Sequence, residues 1–345
     1  VRDVWLRVDY EERLARGSHG PTITREVGKN MTTRNGRGQL VTVFGGSGFV
    51  GRHTVRALAR SGWRVRAAVR RPDLAGHLQP MGNVGQIHAV QANVRYPDSV
   101  AAAVQGADAV INLVGILAPT GRQSFDAVHL KGAKAIAKAS AQAGVSRLVH
   151  MSALGADPNS NSDYAKSKGR AEQAVLAAFP GAVIVRPSII FGPEDEFFNR
   201  FASMASSAPL LPLIGGGRTR FQPVFVGDVA EAIKNACEGT GTPGTVYELG
   251  GPETATFRQL LEQIRKWTDR HPGFMPVPFW MAKLLAILTW PLPNALRPMT
   301  LDQVRLLQKD NVVSEAAIQE GRTLEALGVA EPQPTAAIVP DYLER

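Results

Sequence analysis

Val41-Thr42-Val43-Phe44 runs without a break into Gly45-Gly46-Ser47-Gly48-Phe49-Val50-Gly51. A short apolar, β-branched run of this kind forms a buried strand. The glycines fit both G-x-G-x-x-G (46, 48, 51) and G-x-x-G-x-x-G (45, 48, 51). They permit a tight turn, close approach of backbone to a pyrophosphate, and close packing of the next helix on the strand. The N-terminus of that helix presents free N–H groups to an anion. Such a pattern is weak by itself and gains force from the strand before it and the helix after it. Gly45, Gly46, Ser47, Gly48, Phe49, Val50, Gly51 and Arg52 are therefore candidate cofactor contacts.

The rest of the chain continues the pattern. Strands are expected at Leu40–Phe44, Val65–Val69, Gln86–Gln91, Ala109–Val114, Arg147–Ser152 and Ala182–Pro187. Helices are expected from the glycine loop to Arg60, from about Ser124 to Ala143, and from about Asp163 to Ala178. Strands alternating with helices give an α/β fold, a Rossmann-type doubly wound parallel sheet. After Pro187 the rhythm loosens. A Gly215–Gly217 turn precedes a strand, Phe221–Val226. Asp228 is placed as the cap of a helix, Val229–Glu238, and Val246–Leu249 is a short strand. Thr256–Asp269 is a helix opening with a Thr cap. The expected organisation is a nucleotide-binding domain over 39–190 with returning segments, a smaller C-terminal α+β lobe over 191–330, and a tail over 331–345. Residues 1–38 carry acidic side chains and no apolar run, so they read as a flexible or misassigned leader, with Met31 as a natural start.

Composition excludes several classes of protein. Hydrophobic residues are 44% and charged residues 20%, which is incompatible with a mainly disordered chain. The single Cys237 excludes a disulfide framework and a Cys-based zinc site, and favours a reducing, cytoplasmic setting. The seven histidines show no metal-ligand spacing, so no metal is expected. Net charge is +9 without a long Lys/Arg run. That charge suits an acidic partner or an anionic membrane surface, and without a basic-aromatic cluster no nucleic acid is expected. Between Phe274 and Leu296 the only charge is Lys283, and prolines bracket a helix of about Phe279–Trp290. Twelve helical residues span about 18 Å, too short for a bilayer. The helix is either buried in the small lobe or docks on a membrane or partner through Phe279, Trp280 and Trp290.

Two further groups carry chemistry. Arg70 and Arg71 stand at the end of the second strand, where NAD-binding chains usually place a carboxylate for the ribose 2′-hydroxyl. A guanidinium there binds a 2′-phosphate, so NADPH is favoured over NAD unless the arginines are only solvated surface groups. Asn93 and Val94, at the end of the third strand, are the adenine-side candidates. Tyr164 and Lys168 are four apart on one helix face. An ammonium beside a tyrosine lowers the hydroxyl's pKa and can also hold ribose hydroxyls, so Tyr164 is the candidate acid/base and Lys168 its partner. Ser152, at the end of the fifth strand, is placed to bond a substrate carbonyl. Cys237 and His150 read as core residues, and Glu194-Asp195-Glu196 as a solvated helix start.

Together the glycine loop, Asn112-Leu113-Val114-Gly115, Ser152, Tyr164/Lys168 and Arg186-Pro187-Ser188-Ile189-Ile190-Phe191-Gly192-Pro193 resemble an extended or atypical short-chain dehydrogenase/reductase. Val41–Arg52, Arg186–Met204 and Asp302–Val313 resemble one branch, the dehydrogenase-like accessory subunit of respiratory complex I and its alphaproteobacterial relatives. The resemblance covers about Leu40 to Leu327. It implies a tightly held NADPH, contacts from Leu113, Val114, Gly115, Pro187, Ser188 and Ile189, complex I subunits as partners, and a peripheral position on the inner (cytoplasmic) membrane. It does not imply catalysis. Ser152 stands only twelve residues before Tyr164, Asn93 replaces an adenine-binding Asp, and Phe225-Val-Gly-Asp228 replaces His-Val-Asp-Asp. These departures weaken the catalytic reading more than the binding one. A structural or assembly subunit, a freestanding NADP-dependent reductase, dehydrogenase or epimerase, and a nucleotide sensor all remain open.

Overall fold

Seven parallel strands form the central sheet: β1 Leu40–Phe44, β2 Arg64–Val69, β3 Ile87–Gln91, β4 Ala109–Asn112, β5 Arg147–Met151, β6 Val183–Pro187 and β7 Val246–Leu249. Their spatial order is β7-β6-β5-β4-β1-β2-β3. The computed structural model describes residues 38–289 and 299–343. The leader up to residue 37 and Trp290 lie outside the described residues. Both faces of the sheet are covered, which explains why its strands read as continuous apolar runs. Val41 and Val43 are fully buried on one face. Thr42, between them, turns to the other face and donates its hydroxyl proton to Ala103 O at 2.9 Å.

Helices α1 (Phe49–Arg60) and α6 (Val226–Glu238) pack on the first face through Val55, Leu58, Val229 and Ile233. Helices α2 (Pro97–Val104), α3 (Ala133–Gln142) and α4 (Asp163–Ala178) pack on the second through Val100, Ile136, Ala171 and Val175. Each large apolar side chain so buried contributes roughly 1.5–3 kcal/mol. The order reverses between β1 and β4. In open α/β sheets ligands bind at such a switch point, outside the carboxyl ends of the strands.

The remaining elements build the α+β part. Helices α5 (Phe197–Ser207) and α7 (Phe257–Trp267) share an aromatic core of Phe191, Phe198, Phe221 and Phe257. Three short strand pairs brace it: Leu210–Ile214 with Gly273–Val277, Ile190–Phe191 with Val224–Phe225, and Arg220–Phe221 with Ala255–Thr256. Helix α7 opens with the expected Thr256 cap, closed into a capping box by Gln259. Helices α8 (Phe279–Leu288) and α9 (Leu301–Leu306) form a satellite cluster around Val304. Helix α10 (Glu315–Gln319) follows. Helix α11 (Thr335–Leu343), in the segment read as a tail, buries Val339 against α5 and α7.

Several local expectations are corrected. The strand expected over Phe221–Val226 is two strands with different partners, because Pro223 has no N–H to give to a ladder. Helix α6 begins at Val226, so Asp228 lies in its first turn and accepts the Gln333 N–H at 2.7 Å instead of capping. The strand expected to run to Val114 stops at Asn112, whose Oδ1 accepts the Val114 N–H at 3.1 Å and turns the chain. The expected helix before Ala143 opens with π-helical turns over Asp126–Gly132. Asp195 is buried, not solvated: it accepts N–H groups from Gly192 and Phe198 and the hydroxyl of Tyr342.

Candidate functional site

The turn after β1 is fixed by backbone alone. Gly45 has φ +81°, a conformation that L side chains rarely adopt. Its N–H bonds Ala68 O, and its carbonyl accepts the Gly48 N–H at 3.0 Å. Gly48 is the N-cap of α1 in extended conformation, with no side-chain cap. The Arg52 N–H bonds Gly48 O, so the N–H groups of Phe49, Val50 and Gly51 precede the helix ladder. No acidic residue stands in that first turn. The helix therefore keeps its positive N-terminal end for a ligand anion.

Each glycine has a distinct reason. A Cβ on Gly51 would lie 2.1 Å from Gly45 O and 2.7 Å from Gly46 C. A Cβ on Gly46 would press on Ala67 and Val55, so Gly46 serves core packing. A Cβ on Gly48 would meet only Gly45 O, at 3.3 Å, and otherwise project into open space. A Cβ on Gly45 would come within 3.4 Å of Leu113 and Val114, in the turn after β4. The cradle sits at the switch point and fits a pyrophosphate.

The adenine-side residues are less uniform. Arg70 donates to Gln123 Oε1 at 2.7 Å and is exposed. Arg71 is gripped by both oxygens of Asp73, at 2.7 to 3.2 Å. The sequence reading missed Asp73, which already neutralises Arg71. Asn93 is occupied locally, its Oδ1 accepting the Arg95 N–H. Val94 is buried against Gly132 rather than facing the cleft. Arg52 pairs with Glu194 at 2.8 Å.

Ser152, Tyr164 and Lys168 do line one cleft. Ser152 is anchored through its N–H to Val185 O, and its hydroxyl is buried without a partner. Lys168 Nζ donates to Met151 O at 3.2 Å and stands 6.0 Å from the centre of the Tyr164 ring. Burial pushes the Lys168 ammonium down to about 8, against a smaller opposing pull from Glu172. Burial also pushes the Tyr164 hydroxyl up to about 12. The lowering expected from Lys168 is not found; burial, which disfavours the phenolate, sets the direction.

His129 is a member of this cluster that the sequence reading passed over. Its Nε2 accepts the Ile116 N–H at 3.0 Å, so the neutral ring carries its proton on Nδ1. Nδ1 donates to Ser167 Oγ at 2.8 Å, and Ser167 donates to Tyr164 O at 2.7 Å. Burial, with a smaller push from Lys168, lowers the imidazole to about 3, so it stays neutral. Phe125 stacks on His129 with ring centres 5.3 Å apart, and both meet the Tyr164 ring edge-on. The Phe125/His129 spacing of four was the only signal in the sequence. His150 is in the core as expected, hydrogen-bonded to Asn112.

The cleft has a volume of about 1040 Å³, large for a small ligand and suited to a dinucleotide. Gly45, Gly48, Phe49, Val50, Gly51, Leu113, Gly115, Pro187, Ser188 and Ile189 line it with the three catalytic candidates. Gly46, Ser47, Arg52, Arg70, Arg71, Asn93, Val94 and Val114 do not. Its far wall comes from α8, α9 and the segment to Asn311, none of it foreseen as part of the site. Asp302 and Asn311, quoted above only for resemblance, reach α4 and Ser188 from there.

The comparisons agree with this geometry. A family model described as NAD(P)H-binding matches residues 45–196. Another, the 3-beta hydroxysteroid dehydrogenase/isomerase family, matches residues 154–251. The chain is 38% identical to the mitochondrial NADH dehydrogenase (ubiquinone) 1 alpha subcomplex subunit 9 of Arabidopsis thaliana, over 90% of this chain and 79% of that one. It is 32% identical to the mitochondrial NADH-ubiquinone oxidoreductase 40 kDa subunit of Neurospora crassa, over 94% of this chain and 84% of that one. In fold it is similar to an NADPH-dependent quinone oxidoreductase of Escherichia coli complexed with NADPH. The TM-score is 0.69 at 19% identity, over 88% of this chain and 100% of that one.

Proposed function

We propose, from the premise that this chain belongs to the family of NADH dehydrogenase (ubiquinone) 1 alpha subcomplex subunit 9, that it is an NADPH-holding accessory subunit of a complex I. The observation that carries the nucleotide part is the cradle in which Gly51 has no room for a Cβ and Gly48 has an open side. The N–H groups of Phe49, Val50 and Gly51 would bind the pyrophosphate. Arg70, which donates to the neutral Gln123, would take the 2′-phosphate. Lys168 would hold ribose hydroxyls, and Pro187, Ser188 and Ile189 would flank the nicotinamide. The nucleotide, when bound, offers a hydride at its nicotinamide ring. The short connection between Ser152 and Tyr164 leaves little loop to shape a substrate, and burial also disfavours ionisation of the Tyr164 hydroxyl. A structural nucleotide is the better reading.

The same reading places the protein peripherally on the inner, cytoplasmic membrane surface. Trp280, Leu284 and Leu288 on α8 are 67%, 48% and 67% exposed, while Ala282 and Ala286 face inward. Of the two readings of this helix, that surface favours docking. No helix among the described residues is long and apolar enough to cross a membrane. An anionic bilayer surface complements the net charge of +9, whereas Lys283 lines the cleft rather than the exposed apolar face.

A second reading, an NADP-dependent reductase, is favoured by Ser152. A buried hydroxyl without a partner costs roughly 1–3 kcal/mol, which a ligand carbonyl would relieve. In that case Tyr164 Oη would supply the proton, with Lys168 beside it. Extraction of the purified protein and mass spectrometry of the released nucleotide tests the main reading. One equivalent of NADP(H) per chain is expected, and a protein empty after gentle purification would contradict it.

A further inference from the structure

Helix α9 has six residues, too few to persist without tertiary support. Its position is set by what it touches on two sides. Val304 is fully buried with Ala282 and Ala286 of α8. On the other side Asp302 reaches the start of α4. Oδ1 accepts the Asp163 N–H at 2.7 Å, and Oδ2 accepts the Tyr164 N–H and the Ser162 hydroxyl, each at 3.0 Å. Arg305 Nη1 adds a bond to Asn161 O at 3.0 Å. Beyond α9, Asn311 Oδ1 accepts the Ser188 hydroxyl at 2.7 Å, in the wall of the cleft. Helix α9 and the segment running on to Asn311 thus join the exposed apolar helix to both walls of the cleft.

We propose that α9 is a strap through which engagement of α8 by an anionic lipid bilayer and occupancy of the cleft by the nicotinamide nucleotide favour one another. The inference rests on the bilayer reading of α8. Its physical basis is the start of α4, whose first N–H groups have no acceptor within the helix. Ser162 Oγ serves Ala165, and Asp302 serves Asp163 and Tyr164. When α9 moves away, both donors lose their acceptor, the turn bearing Tyr164 loosens, and Lys168, one turn on, leaves its place. A bilayer that fixes α8 holds Val304, and with it Asp302, in the docked position. Asp302 is a positioning residue in this scheme, because it acts through α4. The coupling must be equal in both directions.

The test titrates the full chain with NADPH by calorimetry, without and with vesicles of phosphatidylcholine and phosphatidylglycerol, and follows cosedimentation in the same samples. Vesicles should tighten NADPH binding by about five-fold or more, and NADPH should tighten vesicle binding by the same factor. Asp302→Ala should still cosediment, with NADPH binding that no longer responds to vesicles. If that variant does not fold, the wild-type reciprocity decides. Cosedimentation with an unchanged NADPH affinity would overturn the coupling and leave the bilayer reading standing. No cosedimentation would remove both.

Discussion

Gly51 lies so close beneath Gly45 that a single added methyl group would sit 2.1 Å from the Gly45 carbonyl oxygen. The helix carrying Gly51 therefore presses on the phosphate turn, and the turn's shape and the helix's packing are one requirement. Gly48, three residues earlier, has an ordinary φ of −77°, and a Cβ there would meet only the Gly45 carbonyl oxygen, at 3.3 Å. The two glycines should respond differently to substitution. Gly51→Ala should destabilise the fold by roughly 1–3 kcal/mol or more, the usual cost of overpacking. Gly48→Val should fold and lose nucleotide. Thermal melts beside nucleotide stoichiometry for each variant check this.

Arg70 and Arg71 should contribute unequally. Asp73 holds Arg71 through both oxygens, whereas Arg70 bonds a neutral amide. A charge-assisted bond is worth roughly 1.5–3 kcal/mol, or about one to two decades in affinity. Arg70→Ala should weaken NADPH by that amount and leave NADH nearly unchanged, while Arg71→Ala should have the smaller effect. Calorimetry with both nucleotides measures it, and equal losses for the two would refute the 2′-phosphate assignment.

How much of this was legible in the residues is seen at particular positions. Val41–Phe44, the glycines, Asp163–Ala178 and the Thr256 cap are local patterns, and the sequence specified them closely. The split at Pro223 was legible too, because a missing N–H forbids one continuous ladder, but the apolar run around it obscured the break. Asp302 was out of reach, since a carboxylate that caps a helix 139 residues upstream leaves no periodic or spacing signal. His129 was hidden because π-helical turns orient it, and Tyr164 because its proton affinity is set by burial, which spacing does not report.

Lys168 makes stability depend on pH in a definite direction. Burial lowers its pKa to about 8 in the folded chain from 10.5. Between those values the unfolded chain binds a proton that the folded chain does not, so folding stability rises with pH across that window. Below about pH 8 the full penalty is present. Lys168→Met removes it, so the variant's advantage over wild type should be largest near pH 7.5 and shrink toward pH 10. The full effect is up to roughly 3 kcal/mol. Urea unfolding midpoints at the two pH values decide the matter, and a constant difference would contradict the assignment.

The apolar face of α8 should be dispensable for folding. Only Ala282 and Ala286 of this helix are buried, whereas Trp280, Leu284 and Leu288 face outward. Replacing those three with Ser should change stability by less than about 1 kcal/mol and abolish association with membranes. Membrane fractionation at low salt, with near-UV circular dichroism of the purified variant, reads both outcomes. Unfolding of the triple variant would show that the helix belongs to the core.

Native mass spectrometry of complex I purified from the membranes of the source organism tests the central claim most directly. The expected result is one copy of this chain in the intact complex, carrying one NADP(H). An intact complex without the chain, or the chain present there with no nucleotide mass, would contradict the account.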